Sequence, residues 1–358
     1  QAEDGIRDSV ASRGLGDVYK RQVSDGSNEN YQTIDRMRFS FGNSAAGACN
    51  ISQSTDAPTT LGFTKSHKVD VTTVNTTASG QQVIQLFYRI EGQDLRNSGW
   101  NHLSSSSFLT LSFYFKTTKT GTSKLPIMFR TRHGTNYYYV KNVTVTDPTN
   151  WNRYTVTIPG NSNIQIDDAI TTGMDINFTY YSGPDKDTSS EGSWGSTNAY
   201  STSDSTNYFD STSNDMFITG IQLEVGDTAT SFEHRSYGEE LTRCLRYFYQ
   251  SSHWGTASGT GYAALGVNYT GYQTSNGNWI WVTCYLPVVM RAAPTLDTSD
   301  QVGNTGNKHS IFTSTGGART NNVTNYHTSP YNDHFTVSNY NETKYGMQVS
   351  GVKADAEL

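Results

Sequence analysis

The side chains that could carry acid–base chemistry in this sequence are carboxylates in its first two-thirds. They are Glu91, Asp94, Asp167, Asp168, Asp185, Asp187 and Glu191. Cleavage of a glycosidic bond requires two carboxyl groups roughly 5–10 Å apart across a cleft, and these residues lie in no recognisable motif. The sequence also lacks a G-x-S-x-G nucleophile turn and a glycine-rich phosphate loop. It therefore predicts no catalytic residue, and we expect a protein that is not an enzyme.

Metal chemistry has one candidate position. Asp185 and Asp187 lie two residues apart in a polar stretch, where their carboxylates could contact a structural calcium ion. Ordinary solvated carboxylates are the alternative, and we expect no cofactor and no catalytic metal. Cys49, Cys244 and Cys284 are too few and too far apart for a zinc cluster or a disulfide framework. We expect them to be buried thiols.

Stacking of sugar rings on aromatic faces is a chemistry for which the sequence offers more candidates. An aromatic ring in a polar stretch lacks a local core to join, so it is either exposed as a binding surface or folded back as a local anchor. Trp194 and Tyr200 lie in such a stretch. The candidate glycan-binding residues are Trp100, Tyr138, Trp194, Tyr200 and Tyr208.

The elements that must position these residues are short β-strands. In residues 109–116, LTLSFYFK, apolar residues alternate with polar ones, which is the period-two pattern of a strand with one buried face. The same pattern recurs in residues 83–90, 137–146, 153–160, 174–181 and 216–226. Polar turn residues separate these runs. The sequence therefore predicts an all-β fold, with a jelly-roll β-sandwich as its main part.

One helix interrupts the β pattern. Ser236 and Glu239 form an S-x-x-E capping box, which is typical of a helix N-terminus. The apolar stripe that follows at helical spacing consists of Leu241, Cys244, Leu245 and Phe248. We predict a short connecting α-helix whose capping and apolar residues act as a structural linker.

The β pattern returns after this helix and is strongest in residues 278–290, NWIWVTCYLPVVM. Residues 298–325 are rich in Gly, Asn and Thr and are predicted to form looping surface. The predicted domains are a jelly-roll sandwich over residues 23–232, a helical connector over 233–251 and a smaller C-terminal β domain over 252–358.

Residues 1–22 do not fit the rest of the chain. The runs QAEDGIRD and SRGLGDVYKRQ resemble translated adapter oligonucleotides of DNA sequencing libraries, in their proper order. We interpret residues 1–22 as a non-native scar and expect a metagenomic source. A well-packed strand formed by residues 14–22 would contradict this interpretation.

Composition excludes several classes of protein. The 358 residues are 34% hydrophobic, 16% charged and 12% aromatic, whereas a disordered chain usually carries more charge and fewer aromatics. The net charge is −6 and there is no Lys/Arg run, so binding to a nucleic-acid backbone is not expected. No stretch approaches the roughly 20 apolar residues of a membrane span.

A resemblance to a known family begins in the last strand of the predicted sandwich. Residues 218–250, ITGIQLEVGDTATSFEHRSYGEELTRCLRYFYQ, resemble a signature of virion structural and tail-fibre proteins of marine bacteriophages. Residues 88–100, 109–121 and 150–160 are similar to strands of the jelly-roll domain of those proteins, which itself resembles carbohydrate-binding modules. Residues 286–296 and the final ADAEL are similar to their C-terminal domain.

The resemblance implies a structural component of a phage virion, of tail-fibre type, that presents a glycan-recognition surface for host attachment. It implies a location in the phage tail and, as partners, a host cell-surface glycan and other virion tail proteins. It also implies a homotrimer. Two alternatives stay open: a bridging tail protein that binds no glycan, and the accessory binding module of a polysaccharide-degrading enzyme.

Overall fold

The computed structural model describes residues 21–24, 30–31, 36–43, 45–75, 80–251, 269–272, 278–300, 306–313, 318–322, 325–329, 331–341, 344–349 and 351–357. The chain divides into two compact units, Gln1–Glu240 and Leu241–Leu358. The division falls within a helix, and the predicted domain bounds at residues 232 and 251 stay predictions. Among the described residues, no helix has the length and apolar character needed to cross a membrane.

The described part of the first unit consists mainly of β-strands. In chain order these are β1 (Arg21–Ser24), β2 (Asn30–Tyr31), β3 (Met37–Gly42), β4 (Ala48–Ser54), β5 (Ser66–Thr73), β6 (Val83–Glu91), β7 (Phe108–Thr117), β8 (Ser123–Thr131), β9 (Tyr138–Val145), β10 (Asn152–Pro159), β11 (Thr172–Ser182), β12 (Trp194–Gly195) and β13 (Asp215–Val225). The helical segments are α1 (Gly92–Arg96), the first residues of α2 (Tyr237–Leu245) and the 3-10 turns Thr59–Leu61 and Pro184–Lys186.

These strands form two antiparallel sheets. The six-stranded sheet has the order β1-β4-β5-β13-β7-β10, and the seven-stranded sheet has the order β12-β9-β8-β11-β6-β3-β2. The sheets pack face to face, since the ring centroids of Phe113 on β7 and Phe178 on β11 are 5.0 Å apart. The chain crosses between the sheets at β1–β2, β3–β4, β5–β6, β6–β7, β7–β8, β9–β10, β10–β11 and β12–β13. The predicted all-β, jelly-roll sandwich is confirmed.

Strand β7 shows how the alternating pattern builds the core. The side chains at its predicted core positions are at most 1% exposed: Leu109, Leu111, Phe113 and Phe115. Burial of side chains of this size contributes roughly 1.5–3 kcal/mol each. Thr110 and Ser112 on the other face are also buried, although the alternation predicts a solvated face there.

The second face of β7 is buried because residues 226–234, here called the return segment, fold back over the six-stranded sheet. Thr110 Oγ1 donates to the carbonyl of Gly226 at 2.8 Å, and the Glu233 amide donates to Gln222 Oε1 at 3.0 Å. His234 ends the segment, with Nε2 3.0 Å from the carbonyl oxygen of Leu61. The first residues of the FEHRSYGEEL part of the signature therefore cover the six-stranded sheet.

A bulge in β13 depends on a glycine. The register of β13 against β7 shifts between Thr219 and Gln222, and Gly220 adopts φ +59°. A Cβ atom at this position would lie 2.6 Å from Cζ of Phe63. Residue 220 is therefore restricted to glycine by both its backbone conformation and its packing.

Two buried tyrosines give opposite expectations for hydroxyl removal. Within the part of the chain that the structure describes, the Tyr180 hydroxyl is buried without a hydrogen-bond partner, whereas Tyr208 Oη lies 2.9 Å from Ser123 Oγ. Tyr180→Phe should raise the free energy of unfolding by about 1 kcal/mol, because it removes an unsatisfied polar group. Tyr208→Phe should lower it by about 1–2 kcal/mol, because Ser123 loses its partner. Urea denaturation of both variants tests these expectations. Changes of the same sign in the free energy of unfolding of both variants would contradict them.

Helix α2 confirms the position of the cap but is shorter than predicted. The Glu239 amide donates to Ser236 Oγ at 3.3 Å, as in a capping box. Leu241, Cys244 and Leu245 lie in the helix. Phe248 does not, which corrects the predicted four-residue stripe: the helix ends at Leu245, and Phe248 begins a strand instead.

The second unit contains strands in three small antiparallel sheets. The strands are β14 (Phe248–Gln250), β15 (Tyr269–Tyr272), β16 (Asn278–Tyr285), β17 (Thr295–Ser299), β18 (Lys308–Thr313), β19 (Ala318–Asn322), β20 (Asn325–Thr328), β21 (His334–Asn341), β22 (Lys344–Val349) and β23 (Gly351–Asp355). The sheet orders are β14-β23-β17, β15-β22-β18-β19 and β16-β21-β20. The prediction of a loop over 298–325 is wrong, because β18 and β19 lie there and pair with each other.

The last two residues of the predicted scar lie in an edge strand of the sandwich. Strand β1 pairs with β4 at the edge of the six-stranded sheet, and it includes Arg21 and Gln22. Residues 1–20 lie outside the described residues. The interpretation of residues 1–22 as non-native stays a prediction, although its last two residues are paired.

Candidate functional site

The seven-stranded sheet has a polar outer face, opposite the face that forms the core. On β11, Ile176 and Phe178 are part of the core, so Asp175, Asn177 and Thr179 project from the other side. We call this side the outer face. Its rows across the sheet follow from the strand register, which aligns Asp175 with Arg89 and with Arg130.

A cavity of about 160 Å³ lies on the outer face. Its floor is formed by β8 and β11, and its cover by residues 183–207, here called the cover loop. The lining residues are Pro126, Thr179, Tyr181, Ser182, Pro184, Asp187, Ser201, Thr202, Ser203, Ser205, Thr206 and Asn207. Since clefts for drug-sized ligands measure about 300–1,000 Å³, this cavity suits one small polar ring.

Hydrogen bonds hold the cover loop in place. The amides of Tyr200 and Thr206 donate to the carbonyls of Lys186 and Lys124, at 2.7 Å and 3.0 Å. Ser205 Oγ donates to Asn142 Oδ1 of β9 at 3.0 Å. The cavity is thus shaped before any ligand enters, which lowers the entropy cost of binding.

Two side chains give the cavity its specific polarity. Thr179 is fully buried, and its hydroxyl has no hydrogen-bond partner in the described part of the chain. Asp187 accepts a hydrogen bond from Ser201 Oγ at 2.6 Å. Burial raises the pKa of Asp187 above its ordinary value, and the Ser201 hydroxyl opposes that rise. An unsatisfied hydroxyl and an acceptor carboxylate are groups that a polyol ligand could satisfy.

A second feature of the outer face is the arginine cluster, which we define as Arg89, Arg130, Arg132 and Asp175. Asp175 Oδ2 accepts hydrogen bonds from Arg130 Nε at 2.8 Å, Arg130 Nη2 at 2.5 Å and Arg132 Nε at 2.7 Å. Arg89 Nε lies 3.6 Å from Asp175 Oδ1. Burial raises the pKa of Asp175, while Arg130 and Arg89 oppose that rise.

The cluster is an ionic group in a desolvated setting. The Asp175 side chain is 1% exposed, and the side chains of Arg89 and Arg130 are 15% and 14% exposed. Arg132 is the most open member at 27%. Guanidinium groups that share one carboxylate repel each other at low dielectric, so a further anion would be attracted to the cluster.

Sequence reasoning missed Thr179 and the whole arginine cluster. Thr179, Asp175, Arg89 and Arg130 occupy outward positions of strands, such as Asp175 within MDINFTYY, and Arg132 directly follows β8. A charged residue at an outward position in several strands at once was the one signal that the sequence contained. Only the register brings Asp175 beside Arg89 and Arg130.

Two of the predicted stacking residues lie in the core and away from any surface. Trp100 is 4% exposed, and its Nε1 donates to the carbonyl of Ser107 at 3.2 Å. Tyr208 is fully buried. A ring without an accessible face cannot stack on a sugar, so neither residue forms part of the candidate site.

Of the other three predicted aromatics, Tyr138 and Tyr200 lie on the outer face, whereas Trp194 packs against the core beside Tyr139. Tyr138 is 7% exposed and packs with Tyr200 in a small cluster on the outer face. The Tyr200 hydroxyl lies 3.4 Å from Arg130 Nη1, between the cover loop and the arginine cluster. Trp194 is half-buried and donates from Nε1 to the carbonyl of Pro159 at 2.7 Å. These contacts match the local-anchor alternative for Trp194 and Tyr200.

Most of the carboxylates considered for catalysis are paired with neighbouring residues and not with each other. Glu91 is fully buried and accepts from Gln93 Nε2 at 2.7 Å, and Asp167 Oδ2 lies 3.1 Å from His133 Nδ1. Glu191 accepts from the Asn142 amide at 3.0 Å. Asp94 and Asp168 are exposed. Among the described residues that line the cavity, Asp187 is the single carboxylate.

The two carboxylates of the predicted calcium position bond to other side chains. Asp185 Oδ2 accepts from Gln81 Nε2 at 3.1 Å, while Asp187 bonds to Ser201. Within the described ranges, no three or more His, Cys, Asp or Glu residues are grouped so that they could hold a metal ion. Calcium binding by Asp185 and Asp187 stays a prediction. Cys49, Cys244 and Cys284 are buried thiols, as predicted.

Comparisons with known proteins give weak similarities of shape. No protein-family model matches the sequence, and no curated protein matches it. A family 22 carbohydrate-binding module of Clostridium thermocellum Xyn10B has 11% identity and a TM-score of 0.32, covering 64% of this chain and 99% of that module. A family 11 carbohydrate-binding module from Clostridium thermocellum, in complex with a β-1,3-1,4-mixed-linked tetrasaccharide, has 12% identity and a TM-score of 0.28, covering 61% and 100%.

A phage protein is also among the similar structures. The enzymatically active domain of Bacteriophage CBA120 tailspike protein 4 has 12% identity and a TM-score of 0.29, covering 53% of this chain. The matched region spans only 19% of that tailspike chain. At these TM-scores the similarities assign neither a ligand nor an activity.

Proposed function

We propose that this protein is a non-catalytic, glycan-binding component of a phage particle, of tail-fibre type, and that the cavity under the cover loop holds a sugar ring. The observation that carries the proposal is the polar lining of the cavity, where serine and threonine hydroxyls and the Asp187 carboxylate surround a floor that holds the unpartnered hydroxyl of Thr179. A buried hydroxyl without a partner costs about 1–3 kcal/mol. A ligand hydroxyl would offset that cost.

The chemistry of the cavity lining fits a sugar better than an apolar ligand. Serine and threonine hydroxyls and the Asp187 carboxylate can exchange hydrogen bonds with ring hydroxyls. Pro126, Pro184 and Tyr181 add apolar surface for the C–H faces of a ring. A hydrocarbon ligand would leave these polar groups unsatisfied.

The arrangement of carboxylates around the cavity supports the proposal of binding without hydrolysis. Cleavage of a glycosidic bond requires an acid and a second carboxylate on the opposite side of the bond. Asp187 is the single carboxylate in the described lining of the cavity, and the neighbouring Asp204 is bonded to Lys124 and Thr202. The cavity therefore supports a binding role.

The phage setting is proposed from the LEVG…FEHRSYGEEL signature. In the described residues this segment joins the last strand of the sandwich, β13, to the capped helix α2 through the return segment. A link of this kind suits a fibre in which a binding domain is joined to further tail proteins. Tail, baseplate or capsid genes beside the coding sequence would support this setting, and a bacterial polysaccharide-utilisation cluster would overturn it.

A homotrimer would compensate for a weak single site. A cavity that holds one ring with millimolar affinity contributes about 4 kcal/mol. Linked copies raise avidity by roughly 10²–10⁴ without new contacts. We propose that attachment to a host surface glycan depends on such copies.

Thr179→Val is the direct test of the sugar site. The full chain is screened on a glycan array, and the affinity for the best ligand is measured by calorimetry. Thr179→Val should weaken binding by about 3–10-fold, the equivalent of one lost hydrogen bond. Its thermal stability should be unchanged or higher, because the hydroxyl is unsatisfied without ligand.

Thr144→Val is the matched control, because Thr144 is exposed on β9 and lies outside the cavity lining. Its affinity should equal that of the parent chain. Absence of binding to every glycan, even in an oligomeric form, would overturn the proposal and favour a bridging tail protein. Release of reducing ends from a host polysaccharide would overturn the non-catalytic part.

A further inference from the structure

We propose that the arginine cluster is an anion-binding site that recognises the acidic group, a carboxylate or a sulfate ester, of a glycan on the outer face. This inference rests on the proposed glycan-binding function and names the class of glycan. It uses residues that the cavity does not include. A neutral sugar ring could bind in the cavity without them.

The geometry indicates that Asp175 holds two guanidinium groups in fixed orientations. One oxygen of Asp175 accepts hydrogen bonds from both Arg130 and Arg132, at 2.5–2.8 Å. The Asp175 carboxylate is almost fully buried, so water cannot take its place as the partner of the two guanidinium groups. Asp175 is therefore a positioning residue for the arginines.

Hydrogen-bonding capacity is left over in the cluster. Arg132 bonds to Asp175 through Nε, and its two terminal nitrogens have no hydrogen-bond partner among the residues that the structure describes. Its side chain is 27% exposed, so a ligand can reach it. Arg130 Nη1 makes a long contact of 3.4 Å with the Tyr200 hydroxyl, and Tyr138 is a further hydrogen-bond partner of Arg130.

Fold stability alone does not account for Arg132. Arg130 already provides Asp175 with two hydrogen bonds and a full countercharge. Arg132 adds a second positive charge to the same oxygen and raises the repulsion within the cluster. An anion bound to the terminal nitrogens of Arg132 would relieve that repulsion.

The distribution of positive charge favours an acidic substituent on a sugar, and not a nucleic acid, as the ligand. The chain carries a net charge of −6, and the cluster is one compact site without a run of lysines and arginines along the sequence. A nucleic-acid backbone requires a track of several cations. One acidic group per ligand unit is enough for a guanidinium fork, which matches the planar oxygens of a carboxylate and also those of a sulfate.

The test compares ligands that differ in charge. Titration calorimetry of the full chain uses polyglucuronate, dextran sulfate and neutral dextran as probes. We expect at least about tenfold tighter binding of one acidic polymer than of dextran. Preference for polyglucuronate would identify a carboxylate as the recognised group, and preference for dextran sulfate would identify a sulfate ester.

Arg132→Gln should reduce the affinity for the preferred acidic polymer about tenfold or more, since a charge-assisted bond is lost. Arg132→Lys should retain part of it, because the charge stays but the fork is lost. The control is Lys141→Gln, which removes an exposed charge on β9 that pairs with Glu191. It should change the affinity less than twofold. Equal losses in Arg132→Gln and Lys141→Gln, or no loss in Arg132→Gln, would overturn the inference.

Inorganic sulfate separates this inference from the proposed function. If sulfate raises the melting temperature of the parent chain but not that of Arg132→Gln, the anion site is supported even where no glycan binds. If sulfate stabilises the parent chain in this way and no glycan binds, the proposed glycan function fails and the anion site stands. Glycan binding that depends on Thr179 but not on Arg132 would instead overturn the anion site and support the proposed function.

Discussion

Asp175→Asn is expected to lower the free energy of unfolding of the sandwich by about 3–5 kcal/mol, the usual cost of breaking a buried ion pair from one side. The substitution keeps the size of the side chain, so it leaves no cavity. It removes the only negative charge in the arginine cluster as defined. The buried guanidinium groups of Arg89 and Arg130 then lose their countercharge, and the amide NH₂ of Asn faces donors of the same kind.

Chemical denaturation of the full chain measures this change through the transition of the first unit. Asp210→Asn is the matched control, because Asp210 pairs with Lys119 at 2.7 Å but its side chain is 47% exposed. An exposed pair of this kind contributes about 0–1 kcal/mol. A loss of less than about 1 kcal/mol in Asp175→Asn would mean that the cluster is hydrated in solution.

The double variant Asp175→Asn, Arg130→Met isolates the charge effect. If unpaired charge causes the loss, removing Arg130 as well should restore part of the stability, which a double-mutant cycle quantifies. If the two losses simply add, the Asp175 carboxylate acts through packing and not through charge. The cycle also prepares the binding test, since Asp175 orients Arg132.

The alternation of apolar residues was enough to predict about half of the sandwich strands that the structure describes. β6, β7, β10, β11 and β13 each lie within a residue or two of the predicted runs. It was not enough to predict which outward faces are buried. Thr110 on β7 is covered by the return segment, which follows it by more than a hundred residues. A period-two pattern contains no information about contacts at that separation.

The end of α2 shows a local preference overridden by pairing. Leu241, Cys244, Leu245 and Phe248 have helical spacing, but β14 pairs Phe248 with Asp355 of β23. The Tyr247 amide donates to the carbonyl of Cys244 at 3.0 Å, which tightens the last turn. The partner strand lies at the far end of the chain, so no local pattern could predict this stop.

The candidate site was predictable in kind but not in place. Aromatic residues drew attention in the sequence, and Tyr138 and Tyr200 do lie on the outer face. Asp175, Arg89, Arg130 and Thr179 were missed because each is a single polar residue in a strand. Asp175 and Arg130 are 45 residues apart in sequence and meet only through strand register.

A buried histidine gives the second large expected effect, which is a loss of stability in acid. His67 on β5 is 1% exposed, and neither ring nitrogen has a hydrogen-bond partner among the described residues. Burial lowers the pKa of His67 to about 3, well below the ordinary value of 6.5. The folded protein therefore holds the ring neutral over a range in which the unfolded chain is protonated.

The direction of the pH effect follows from proton binding. Between pH 6.5 and pH 3 the unfolded state binds more protons than the folded state, so stability falls as the pH falls. His67 should leave stability unaffected above about pH 7, and should cost about 2 kcal/mol at pH 5 and roughly 4 kcal/mol at pH 3.5. Other acid-sensitive groups add to this loss in the parent chain, so the contribution of His67 must be read from a difference.

His67→Leu provides that difference. Leucine can fill this buried position opposite Ile218 and does not titrate, so the variant should match or exceed the parent in stability at pH 8 and exceed it by about 2 kcal/mol more at pH 5. Urea denaturation at pH 8, 6, 5 and 4 measures the gap, which should widen at each step. His67→Gln, which is polar but does not titrate, should show the same widening from a lower starting value. A gap that stays constant with pH would mean that the imidazole is solvated or hydrogen-bonded in solution.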